Sequence, residues 1–129
     1  MPVVTEAMIA RLVDAFYVKV RADAVLGPIF DGAIGDGWDA HLATMVDFWS
    51  SVMLTSGRYK GNPLAVHQGV AGIRADLFPR WLELFAATCR ETLSPEIGAV
   101  FNAKAMRIAD SLQRALFYAP RTDAKRVAR

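Results

Sequence analysis

The chain has 129 residues and a mass of 14.1 kDa; 53% of its residues are hydrophobic and 22% are charged. That length and balance suit one domain built around a single core and exclude a disordered or fibrous chain. The formal net charge of +2 and the pI near 8.9 do not describe a nucleic-acid binder, because Arg121, Lys125, Arg126 and Arg129 against Asp123 place +3 in residues 119–129 and leave −1 on the body.

Residues 119–129 therefore read as a basic, disordered tail behind a domain over 1–118. A mean hydropathy of +0.23 leaves Phe, Trp and Met side chains in surplus, to cover either a partner surface or a buried apolar ligand. The single cysteine, Cys89, excludes an intrachain disulfide or a thiolate metal cage and fits a reducing compartment. Met1–Glu6 has no basic start leading into an apolar run, and no stretch approaches the ~18 uninterrupted apolar residues of a membrane span. A soluble, cytoplasmic protein without membrane or nucleic-acid partners is expected, a monomer or weak dimer.

Helical periodicity runs throughout and strand alternation is sustained nowhere, so the fold class is all-α. Thr5 is an N-cap, Val4 can staple onto Ile9, and Ile9, Leu12, Val13, Phe16, Tyr17 and Val20 form one stripe of a helix ending near Asp23. Gly27-Pro28 predicts a turn that delivers Ile29 and Phe30 inward. A Gly/Asp-rich link from Asp31 to Gly37 follows; its Ala33, Gly35 and Leu42 stand where a calcium loop needs carboxylates.

The next helix carries Trp38, His41, Leu42, Met45, Phe48, Trp49 and Val52 on one stripe and stops at Ser56-Gly57. Asn62-Pro63 is an N-cap with proline at the first helical position, so a helix of barely two turns carries Leu64, Val66 and His67 up to Gly69. After a loop over 69–75, Asp76 is expected to cap a helix with Pro79 in its first turn and Phe78, Trp81, Leu82, Phe85 and Cys89 along one side. Ser94-Pro95-Glu96 opens the last helix, with Ile97, Val100, Phe101, Ile108, Leu112 and Ala115 or Leu116 as the buried stripe and Pro120 as its close.

No phosphate loop, dinucleotide fingerprint, nucleophile elbow or zinc-protease pair is present. The two histidines remain. His41 falls on the apolar stripe of its helix and His67 among apolar neighbours, where a solvated histidine would not. A zinc site on these two lacks further ligands at the right spacing. Haem asks for less: one neutral imidazole and a large apolar slot whose edge reaches solvent.

Taken in order, Phe16-Tyr17-Val18-Lys19-Val20-Arg21, Leu26-Gly27-Pro28-Ile29-Phe30, Trp38-Asp39-Ala40-His41, Phe48-Trp49-Ser50-Ser51, Tyr59-Lys60-Gly61-Asn62-Pro63 up to His67, and Phe78-Pro79-Arg80-Trp81-Leu82 resemble the successive signatures of group III truncated haemoglobins over about residues 8–118. Gln68–Arg74 lacks the prolines of that pattern and Pro79 replaces a usually polar residue, while the spacing from His67 to Trp81 is kept.

The resemblance implies a two-over-two helical sandwich around haem b (iron protoporphyrin IX), with His67 as the proximal metal ligand. It places Tyr17 and Trp81 as distal hydrogen-bond donors, His41 as a distal gate or iron-binding residue, and Phe30, Met45, Phe48, Trp49 and Phe78 along the pocket. Arg58 and Tyr59 are expected near a propionate. By periodicity alone Tyr17 and Trp81 would be packing residues. As donors to bound dioxygen, each contributes about 0.5–1.5 kcal/mol, and two together slow release by roughly 10–100-fold. That retention favours ligand handling over transport: nitric oxide dioxygenation, peroxidase-type work or sensing, with oxygen, nitric oxide and carbon monoxide as ligands and a reductase as a further partner. The alternative is a cofactor-free helical protein-interaction module; a non-haem metal protein ranks third.

Overall fold

The computed structural model describes residues 3–118, and both the tail over 119–129 and the helix close at Pro120 lie outside these. Thr5 takes an extended backbone and its hydroxyl accepts the amide of Met8, so helix α1 (Glu6–Ala22) begins where the sequence predicts. Its stripe of Ile9, Leu12, Val13, Phe16, Tyr17 and Val20 is buried.

The predicted turn at Gly27-Pro28 is instead the first turn of helix α2 (Leu26–Ile34). Proline is tolerated there because first-turn amides have no helical partner to lose. The amides of Val25 and Leu26 donate to the Asp23 carboxylate at 3.0 and 2.8 Å, and Arg80 donates to the same oxygen at 2.7 Å. Asp23 thereby caps α2 and ties it to a helix far along the chain. Gly27 is required by contact, since a Cβ there would lie 2.7 Å from the carbonyl oxygen of Arg21. Asp31–Ile34, expected in a link, are helical, and Ile29 and Phe30 pack half-buried against the core as anticipated.

Helix α3 (Trp38–Leu54) ends at Thr55, which adopts the left-handed conformation. Helix α4 (Pro63–Gln68) has the predicted start, with the Asn62 side chain accepting the amide of Ala65 at 3.2 Å. Helix α5 (Leu77–Thr92) lacks the expected side-chain cap, because the Asp76 carboxylate pairs with Arg74 at 2.9 Å. Ser94 caps helix α6 (Pro95–Gln113), which continues as a π-helical turn over Arg114–Tyr118.

Val100 does not belong to the buried stripe of α6: it is 48% exposed, and the core face is Ile97, Gly98, Phe101, Ala105 and Ala109. At about 100° per residue that face centres between Ile97 and Gly98, roughly 120° from Val100. The small residues on it let α6 close onto α5, with Gly98 against Cys89.

Two helix pairs, α1 with α3 and α5 with α6, cross through the contact of α1 with α5, and α2 packs on α1. This is the two-over-two all-α sandwich. Phe16, Phe85, Phe101 and Trp49 fill its centre, with Trp49 stacked on Phe85 at 5.1 Å. Among the described residues, no helix is long and apolar enough to cross a membrane.

Candidate functional site

The His41 imidazole lies between two rings set at right angles to it, Tyr17 at 5.0 Å and Trp38 at 5.5 Å. Phe30 closes on Tyr17 at 5.9 Å. Trp38 and His41 are three residues apart on α3 and so share a face. His41 Nε2 is buried without a hydrogen-bond partner. Burial also lowers the His41 pKa from its ordinary value, which keeps the ring neutral at pH 7.

Tyr17 is only 5% exposed, and among the described residues its hydroxyl makes no hydrogen bond. Its pKa is raised well above the usual tyrosine range by burial, so the group stays an O–H donor. Buried polar atoms are nearly always satisfied, so the lone buried Nε2 of His41, with the unbonded Tyr17 ring packed against it, is the feature here that internal packing does not account for.

Trp81 stacks on Phe85 at 5.5 Å and meets the edge of Phe16 at 5.3 Å, and Phe16 in turn contacts Tyr17 at 5.0 Å. One continuous set of rings thus joins α5 through α1 to α3. Met45 is half-buried beside this set. Phe48 faces a different way, edge-on to Tyr59 at 5.1 Å, and Phe78 meets Phe117 at 6.1 Å. Trp49 lies among the core rings, between Phe85 and Phe101, rather than beside His41.

On α4, His67 Nδ1 sits 2.6 Å from the carbonyl oxygen of Pro63. A carbonyl only accepts, so Nδ1 carries the proton and Nε2 keeps its lone pair, the tautomer that an imidazole ligand needs. Helix α4 buries none of its six residues, and its main contact is the π-helical turn. Apolar space flanks it on both sides. A cavity of about 540 Å³ lies between α2 (Pro28, Ile29, Ala33) and Val66 and Val70, and one of about 330 Å³ lies between Pro63, the α3 residues Phe48 and Val52, and Ile108 and Leu112 of α6. Both are open grooves rather than enclosed chambers, and His67, His41, Tyr17 and Trp81 are not among the residues that line them.

Arg58 is placed otherwise than expected. Its guanidinium donates to both Glu6 oxygens at 3.0 Å and to Asp47 at 2.9 Å, tying the start of α1 to α3. The fully buried Ser50 hydroxyl donates to the same Glu6 at 2.7 Å. Arg58 holds Glu6 far below the usual carboxylate range, at about 2. Tyr59 donates its amide to Ser51 at 2.9 Å and lies over Gly61, where a Cβ would come within 2.5 Å of the phenol oxygen.

The sequence reading left out of the site the residues behind His41. Trp38 Nε1 donates to Asp31 at 3.1 Å, and the Arg21 guanidinium lies 4.3 Å from the centre of the Trp38 ring. An aromatic residue one turn before a histidine on an apolar stripe was the available signal.

No family model matches the chain. Group 3 truncated hemoglobin ctb of Campylobacter jejuni is 35% identical over 117 residues, which span 88% of this chain and 92% of that protein. The crystal structure of group III truncated hemoglobin from Campylobacter jejuni matches with a TM-score of 0.86 at 33% identity, covering 93% of this chain and 97% of that one. Sequence and helix arrangement agree over nearly the whole of both chains, and the protein belongs to the group 3 truncated haemoglobin family.

Proposed function

We propose that the protein binds haem b through His67 and uses it to bind dioxygen, nitric oxide and carbon monoxide, with nitric oxide dioxygenation as its reaction. The observation that carries this reading is the His67 tautomer: Nδ1 is held by Pro63 and Nε2 is free, on a helix that stands off from α2 and α3 across apolar cavities. A flat apolar macrocycle suits such a gap, and the second observation, the unpartnered His41 Nε2 and Tyr17 hydroxyl, suits a small ligand near them.

Bound there, haem would supply an iron that takes up diatomic ligands and changes oxidation state. Every other contribution comes from the chain. His67 would hold the group from α4. Phe30 and Met45 would keep water from the His41 side, and Phe48, which lines the groove beside Pro63, from the α4 side. The Tyr17 hydroxyl and the Trp81 indole N–H act as donors to the ligand, favouring the state in which it carries partial negative charge. His41, neutral and unpartnered, gates the approach. Arg58 serves the fold through Glu6 and Asp47 rather than a propionate, and Tyr59 is the nearer candidate for the polar edge. Conversion of nitric oxide with dioxygen to nitrate consumes one electron per turnover, so a reductase is the partner this reaction requires.

The test is the absorption spectrum of the ferric, reduced and carbon-monoxide-bound protein beside His67→Gly with and without imidazole. A Soret band that shifts with ligation, weakens in the variant and returns with imidazole is the expected result. A colourless protein that takes up no added haemin would refute the reading and favour a cofactor-free interaction module. Rapid mixing of the oxygenated protein with nitric oxide should yield nitrate; a slow reaction without nitrate would remove the dioxygenase assignment alone.

A further inference from the structure

His41 occupies a position that costs it a hydrogen bond. Its Nε2 is buried and unpartnered, and among the described residues no side-chain hydrogen bond holds the half-buried ring in place. A free imidazole would gain by turning out to water, so packing must keep it inside. The packing consists of two rings at right angles to it, Tyr17 at 5.0 Å and Trp38 at 5.5 Å. Tyr17 belongs to the central rings of α1, with its body fixed by Phe16. Trp38 is different: it is the first residue of α3, 7% exposed, and its orientation depends on groups at the surface.

Those groups are Asp31 and Arg21. Asp31 Oδ1 accepts the Trp38 indole N–H at 3.1 Å and stands 3.8 Å from Arg21 Nε, while the Arg21 guanidinium lies 4.3 Å from the ring centre. A cation over an aromatic face and a charged acceptor at its N–H both restrict rotation of the indole. Both charged side chains are about half exposed, at 52% and 53%, so the restraint is made at the protein surface and transmitted inward through one ring. Asp31 is on α2, Arg21 on α1 and Trp38 on α3, so three helices must keep their spacing for the restraint to exist.

We propose that Trp38, clamped by Asp31 and Arg21, is the positioning residue that holds His41 in its inward orientation, and that release of this clamp is what lets His41 swing out. The inference deepens the gate role given to His41 above and rests on that reading, but its physical content concerns only this chain's side chains.

The experiment measures the rate at which diethyl pyrocarbonate modifies His41 in the purified full-length chain, resolved by peptide mass spectrometry, with the exposed Lys60 as the internal reference. Asp31→Ala and Trp38→Phe each remove the indole hydrogen bond and should speed modification of His41 by about 3- to 10-fold, with Lys60 unchanged. Asp31→Asn keeps an oxygen acceptor for the indole and should stay within about twofold of the wild type. An unchanged His41 rate in Asp31→Ala and Trp38→Phe, an equal rise at Lys60, or an Asp31→Asn rate as fast as Asp31→Ala would each overturn the assignment. Because the readout is the accessibility of a side chain, its failure leaves haem binding untouched. A colourless protein that still showed the predicted rates would refute the haem reading and retain the clamp.

Discussion

Tyr17→Phe separates a ligand donor from a packing residue, because the two roles predict opposite signs for stability. Tyr17 as a residue is only 5% exposed and its hydroxyl makes no hydrogen bond among the described residues, so removing the oxygen takes away no protein partner. The ring contacts to Phe16 at 5.0 Å and His41 at 5.0 Å do not involve the oxygen and survive in phenylalanine. In the ligand-free protein the substitution should leave stability unchanged or raise it by up to about 1 kcal/mol, because unsatisfied polar groups are costly to bury. For a chain of this length, 1 kcal/mol corresponds to roughly 4 °C in Tm. With ligand present the same oxygen is a donor, and its loss should raise the oxygen release rate by about 2- to 10-fold, read by displacement with carbon monoxide in stopped flow. A drop in Tm of about 4 °C with an unchanged release rate would show the hydroxyl bonded to the protein and refute the donor role.

Trp81→Phe should raise the oxygen release rate by a similar factor while keeping the stack on Phe85 at 5.5 Å, and unchanged release would reassign Trp81 to packing. Asp23→Ala removes the acceptor of two α2 amides and of Arg80, and should cost about 2 kcal/mol, seen as a fall in Tm of roughly 8 °C. Acid stability carries a defined sign. Glu6 and Asp23 are both held down to about 2, by Arg58 and Arg80 respectively, so the unfolded chain takes up protons first as pH falls below about 4.5. Their stabilisation is present above that pH and is lost progressively towards pH 2. Urea melts from pH 7 to pH 3 should show the decline, and Glu6→Gln should flatten it; an unchanged slope would mean that the Glu6 pairing does not persist in solution.

The helices that carry the candidate site were legible because their signals are short-range. Asn62-Pro63 before His67 and Gly69 after it specify a two-turn helix by caps and backbone alone, and the structure reproduces that helix residue for residue. The stripe of α1 follows from helical geometry and delivers Tyr17 inward wherever the helix packs. With only two histidines in the chain, both among apolar neighbours, the sequence also narrowed the candidate ligands to His41 and His67.

What the sequence could not determine depends on which helices cross. Arg58 reads as a free cation in a polar loop until α1 and α3 meet and bring Glu6, 52 residues away, to its guanidinium. Gly27-Pro28 reads as a turn until Asp23 and Arg80, 57 residues apart, stabilise the helix start around it. Val100 fits a plausible stripe by spacing, yet the packing of α5 against Gly98 and Ala105 rotates the buried face away from it. Local propensity and periodicity act within one or two turns of helix and so are written into adjacent residues. The unpartnered Nε2 of His41 and the clamp on Trp38 are properties of side chains from separate helices, and only the tertiary structure brings those within reach of one another.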